Sequence, residues 1–120
     1  MATIIFYTGY VSSIGKMGLT EATEENFEKV VAKGFAVVDF WAPWCGPCKV
    51  FGPTFQAVSD ELKGLNFVKV NTDLCQGLTE KYNIRSVPTI VVMNRGVEVE
   101  RFQGMFNKEQ FTTKLRKYAP

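Results

Sequence analysis

Short β-rich apolar runs alternate along the chain with amphipathic stretches of helical period, and this order limits the available folds more than any single residue does. The runs are Ala36 to Trp41 (AVVDFW), Asn66 to Asn71 (NFVKVN), Thr89 to Met93 (TIVVM) and Val97 to Phe102 (VEVERF), with a first strand expected somewhere in residues 3–22. Strands separated by helices predict an α/β sheet with crossover connections. Asn94 to Gly96 (NRG) joins the last two runs as a hairpin, its glycine supplying the positive φ such turns need.

Four helices fill the gaps. The first is expected from Thr23 as cap, through acids in its first turn and Phe27, Val30 and Val31 on one face, to Gly34. The second begins near Cys45 and runs past Phe51, Phe55, Val58 and Leu62 to Gly64, with Pro53 removing one internal hydrogen bond and predicting a kink. A shorter third covers Leu78 to Tyr82, and the last spans Lys108 to Tyr118. The order is therefore β, α, β, α, β, α, β, β, α, with no repeat, low-complexity tract or linker. At 120 residues, 46% of them hydrophobic, the chain makes one domain with a core that needs no disulfide staples. Phe27, Phe40, Phe51, Phe55 and Phe111 have the periodicity of core residues, and Trp41 is assigned there too.

Composition removes several function classes. A formal charge of +2 without a basic block gives little steering toward nucleic acid or an anionic membrane. The longest apolar runs are strand-sized, far short of the ~18 residues of a membrane span. No histidine is present, so the commonest general base and the commonest zinc ligand are both missing. Three cysteines are too few, and odd in number, for a secreted disulfide framework. The start, MATIIFYTGYVSSIG, lacks the charged opening and clear cleavage site of a signal peptide and reads as retained. A reducing, cytoplasmic setting is expected.

The chemistry is concentrated in WAPWCGPCKVFGP, residues 41–53. Cys45 follows a buried strand and opens a helix, where unpaired backbone N–H groups and the positive end of the helix dipole favour a thiolate. Cys48 lies one turn on along the same face, at a Cα separation that suits a disulfide. Gly46 and Pro47 occupy the first turn, where proline costs no helical hydrogen bond and holds the reduced loop near its helical conformation. A histidine in that interval would make the disulfide more oxidising, so Gly-Pro points to a reductant. Three plainer readings compete. A zinc site would need ligands that one further cysteine and no histidine cannot supply. A structural disulfide closing so short a loop would stabilise by roughly 3 kcal/mol or less. Two inert buried thiols fit an arbitrary CxxC, but not one flanked by tryptophan and Gly-Pro.

Taken together, WCGPCK, the VVDFWA before it, Pro53 after it and SVPT at residues 86–89 resemble the thioredoxin family in order and spacing, over about residues 22–118. The resemblance implies the thioredoxin fold, a central mixed sheet of four to five strands flanked by about four helices, and reduction of protein disulfides. No bound cofactor is implied beyond a redox-active Cys45–Cys48 disulfide, and no metal. Electrons would come from an NADPH-dependent thioredoxin reductase or an equivalent donor and pass to disulfide-containing target proteins, with the chain monomeric.

The resemblance also assigns roles that the residues alone do not. Asp39 interrupts an apolar run, and burial would keep its neutral form to raised pH. By itself a lone strand aspartate reads as an edge residue facing water, but the resemblance places it beneath the disulfide as proton acceptor for Cys48. Lys69 matches the family lysine beside that aspartate, although alternation in FVKVN alone would turn it to solvent. Base rates make Val87–Pro88 trans, with only about 5–6% of X–Pro bonds cis. The resemblance instead makes it cis, lying against the CxxC loop, with Val87 offering backbone hydrogen bonds to an added substrate strand. Trp44, Gly46, Pro47, Val87, Pro88, Gly104 and Met105 then form the target contact surface, Gly104 fitting a close backbone approach.

Residues 1–17 exceed the family pattern as an N-terminal extension to a domain of residues 18–120, and TIIFYTGY there fits an added strand, a partner-binding arm or a disordered leader. Cys75 falls outside the motif and reads as a small buried hydrophobe, with regulatory oxidation as the alternative. Two other functions stay open: a disulfide oxidase or isomerase, and a redox-independent binding module that uses the same surface.

Overall fold

The computed structural model describes residues 19–120. The extension of residues 1–17 lies outside them. Five strands, β1 (Leu19–Ala22), β2 (Phe35–Trp41), β3 (Asn66–Asn71), β4 (Thr89–Asn94) and β5 (Val97–Gln103), form one sheet in the order β1-β3-β2-β4-β5. β1, β3 and β2 run parallel, whereas β4 pairs antiparallel with both β2 and β5. The helices α1 (Phe27–Val30), α2 (Gly46–Glu61), α3 (Gln76–Lys81) and α4 (Lys108–Leu115) cover its two faces, and a 3₁₀ turn, Arg116–Tyr118, follows the last. This is the α/β sheet that the alternation of runs predicts, and its mixed pairing is what the family resemblance implies.

β2 lies at the centre and is buried on both sides. Ala36, Val38 and Phe40 face a cluster that includes Phe27, Val31 and Leu78 from the α1 and α3 side. Val37 faces the opposite cluster, where Phe51 and Phe55 of α2 meet Phe111 of α4 and Phe67 of β3. Four rings close that second core: Phe51–Phe111 at 5.0 Å, Phe55–Phe67 at 5.4 Å, Phe55–Phe111 at 5.9 Å and Phe51–Phe55 at 6.0 Å between centroids. Tyr118 packs its ring at a tilt against Phe35, 5.2 Å between centroids, tying the last turn to the first residue of β2.

Local chemistry sets the ends of the elements. Asn107 caps α4 through a reciprocal box, its side chain accepting from Gln110 N–H at 2.8 Å while the Gln110 side chain accepts from Asn107 N–H at 3.0 Å. The β4–β5 hairpin turns through two left-handed residues, Arg95 and Gly96, so glycine supplies only half of the positive φ the turn uses. The helix expected from Thr23 to Gly34 shrinks to four residues. Thr23 and Asn26 exchange backbone-to-side-chain hydrogen bonds of 2.8 and 3.2 Å, closing a turn where a first helical turn was expected. The helix ends at Val30 with β-branched Val31 as its C-cap, and Gly34 follows with a left-handed φ of +62°. α2 passes through Pro53 as one element.

Candidate active site

The sequence places a cysteine at the mouth of α2, and the structure makes Cys45 the N-cap residue of that helix, with extended backbone. Cys48 N–H donates to Cys45 Sγ at 3.1 Å, so one orphan donor of the first turn is spent on the sulfur. The two cysteines form a disulfide across a Cα separation of 5.2 Å, and Pro47 sits inside the first turn. Both are nearly buried, at 5% and 6% exposure, and pack with Ala42, Trp41 and Val87. Among the described residues no cluster of histidine, cysteine, aspartate or glutamate could hold a metal ion.

The Val87–Pro88 peptide is cis, the isomer that the family resemblance implies and that base rates oppose. Val87 O lies 3.6 Å from Cys45 Sγ. Gly104 N–H donates to Pro88 O at 2.9 Å, which fastens the end of β5 to the start of β4. Gly104 has φ +91° and open space where a Cβ would point, so it is needed there for its backbone conformation and not for a close approach. Met105 beside it is half exposed.

Trp44 stands 70% exposed, its indole N–H donating to Asp73 Oδ1 at 3.2 Å. A groove of about 500 Å³ is lined by Trp44, Cys45, Gly46, Pro47 and Val87. Thr72, Thr79, Ile84, Arg85 and Ser86 complete its lining. Gly104 and Met105 are not among its lining residues. The groove therefore opens toward α3, a side that the sequence reading left out. Thr72, Thr79 and Ile84 come from three separate segments, and only the fold brings them together.

Asp39 belongs to β2 and is 2% exposed, so it is neither an edge residue nor solvent-facing. Burial pushes its carboxyl up from 3.8 to about 7, against the pull of Lys69 and with a smaller push from Glu21. Its Oδ1 has no hydrogen-bond partner. Lys69 is its register neighbour on β3 and is half-buried, not turned to solvent. Trp41 is corrected from core to half-buried: its indole N–H reaches outward to Glu21 at 3.3 Å, and Lys69 Nζ stands 4.6 Å above its ring. Cys75 is buried and free, and burial together with Glu24 raises its thiol further above the ordinary range.

Comparison with known proteins agrees with this geometry. The sequence model of the thioredoxin family matches residues 18–117. The chain is 51% identical over 77 residues to a thioredoxin of Mycoplasma genitalium, an alignment covering 64% of this chain and 76% of that one. It is 35% identical over 103 residues to a thioredoxin of Bacillus subtilis, covering 85% and 99% of the two chains. It is also 35% identical over 96 residues to a thioredoxin of Chlamydia trachomatis, covering 80% and 94%.

Proposed function

The chain belongs to the thioredoxin family and is a thiol–disulfide oxidoreductase, and from that premise we propose that it works as a general protein-disulfide reductase. The observation that carries this reading is Cys45 at the N-cap of α2, disulfide-bonded to a cysteine one turn on, with only Gly46 and Pro47 between them. A sulfur at a helix mouth is stabilised as thiolate by the backbone N–H groups around it, and a neutral Gly-Pro interval adds no charge that would make the pair strongly oxidising.

In the reductive direction the Cys45 thiolate attacks one sulfur of a target disulfide, and the other target sulfur leaves as thiolate. Cys48 then gives its proton to the Asp39 carboxylate and attacks Cys45 Sγ, which releases the second target sulfur as thiolate. Two electrons reach the target, and the pair ends as the disulfide. Asp39 suits the acceptor role because burial brings its change of charge near neutrality. Trp44, Gly46, Pro47 and Val87 of the groove lining would contact the target, with Pro88 holding Val87 in its cis geometry and Gly104 and Met105 extending the contact beyond the groove. An extended target segment would pair with the Val87 backbone. Lys69 assists Asp39 by its charge. An NADPH-dependent thioredoxin reductase supplies the electrons, and the setting is the cytoplasm, with the chain as a monomer.

The test is turnover of insulin disulfides with NADPH and a thioredoxin reductase. Cys45→Ser should lose all measurable turnover, and Cys48→Ser should accumulate mixed disulfides visible by intact mass. Full turnover by the Cys45→Ser, Cys48→Ser double variant would overturn the reading in favour of a redox-independent binding module.

A further inference from the structure

Asp39, Lys69 and Glu21 occupy one row across the sheet: Asp39 of β2 is opposite Lys69 of β3, and Lys69 is opposite Glu21 of β1. Register neighbours project from the same face of a sheet, so all three side chains rise on the α2 side, as does Trp41 two residues beyond Asp39. Coulomb attraction alone would carry the Lys69 ammonium onto the buried, unpartnered carboxyl beside it. It does not go there. Lys69 forms no ion pair with Asp39 or with Glu21, and Asp39 Oδ1 is left with no hydrogen-bond partner. The ammonium stands instead over the Trp41 ring, 4.6 Å from its centroid. The ring in turn is fixed by its N–H bond to Glu21 Oε2 and packs against Ala42, Cys45 and Cys48.

We propose that Glu21 is a positioning residue for the proton-accepting Asp39: it clasps Trp41, the indole seats Lys69, and the ammonium is thereby held short of an ion pair with the buried carboxyl. This inference rests on the role given to Asp39 above. The charged groups acting on Asp39 are Lys69 from β3 and Glu21 from β1, while β4 sets Ile90 opposite it and α2 brings the Cys48 sulfur to the same face. A closed Lys69–Asp39 pair would keep the carboxylate ionised far below neutrality and weaken it as a base. With the lysine seated on tryptophan, Asp39 keeps a proton affinity matched to a thiol donor near pH 7.

Glu21 lies at the exposed edge strand, so its replacement leaves the core intact. Glu21→Gln removes its charge but keeps an oxygen for the indole N–H, and Glu21→Leu removes both. The Asp39 titration midpoint is read by carboxyl ¹³C NMR on the full chain in its disulfide form. Its proton affinity should fall about threefold in Glu21→Gln and about tenfold in Glu21→Leu, where Lys69 is released toward the carboxyl. In a Lys69→Met background the two variants should titrate alike. Equal midpoints for the two variants with Lys69 present, or no movement in either, would overturn the clasp. Because the midpoint is read without turnover, failure of the insulin assay removes the reductase reading and leaves this measurement decisive on its own.

Discussion

Phe40 and Asp39 are consecutive residues of the same central strand, equally buried, and they face opposite cores. Phe40 meets the rings of Tyr82 at 6.1 Å and Phe27 at 6.5 Å, while Asp39 meets an ammonium held at a remove and keeps an oxygen without a partner. The first side of the strand is built for stability. The second holds a carboxyl whose burial costs stability and brings its change of charge near neutrality. α2 repeats the division along its length, with Phe51 and Phe55 locked among aromatic rings and its N-cap residue Cys45 lining the groove.

This contrast can be broken most forcefully from its apolar half. Phe55→Ala, at a fully buried position touching three other rings, should cost about 3–5 kcal/mol by urea denaturation while sparing the Cys45 chemistry below the melting temperature. A cost under 1 kcal/mol would mean that the aromatic cluster is not where stability resides.

The acidic half should respond with the opposite sign. Asp39 is raised in the fold from 3.8 to about 7, so between those limits only the unfolded chain ionises. Wild-type stability therefore falls as pH rises through that window. Asp39→Asn escapes this loss and should be more stable by about 2–4 kcal/mol at pH 8, the gain shrinking to nothing below about pH 4. The same variant should slow insulin reduction at pH 7 by about tenfold or more. A pH-independent stability difference would contradict the burial argument.

Smaller effects sharpen the boundary between the two regions. Gly104→Ala forces a side chain into φ +91° and should cost about 1 kcal/mol, loosening the Gly104–Pro88 tie and raising the KM for insulin. Trp44→Ala should change stability by less than about 0.5 kcal/mol because the ring is mostly in water, yet raise KM several-fold. A large stability loss there would move Trp44 from the binding surface to the scaffold.

Period and turn chemistry made much of this architecture readable from the chain alone. Asn66–Asn71 has the bounds its alternation predicts, and the Lys108–Tyr118 helix ends in a 3₁₀ turn only at its last three residues. The cysteine pair was legible because helix-mouth chemistry is local. Other features depend on contacts that no window of sequence contains. The cis Val87–Pro88 bond and the buried Asp39 follow from the family resemblance alone, since propensity favours trans and an edge position. Trp41 reads as core because its size says so, and only the register that brings Glu21 within reach turns its nitrogen outward. Thr72 and Ile84 carry no mark of their own as groove residues, because concavity is a property of the assembled sheet and helices.

The ring contact between Tyr118 and Phe35 fixes the geometry of the molecule's two poles. Phe35 begins β2 and Trp41 ends it, so six strand steps, about 20 Å, separate the final turn from the cysteines. A dye, affinity handle or electrode linker attached behind Tyr118 would project away from the sulfurs, and the chain could be immobilised there with its reactive end still facing solution.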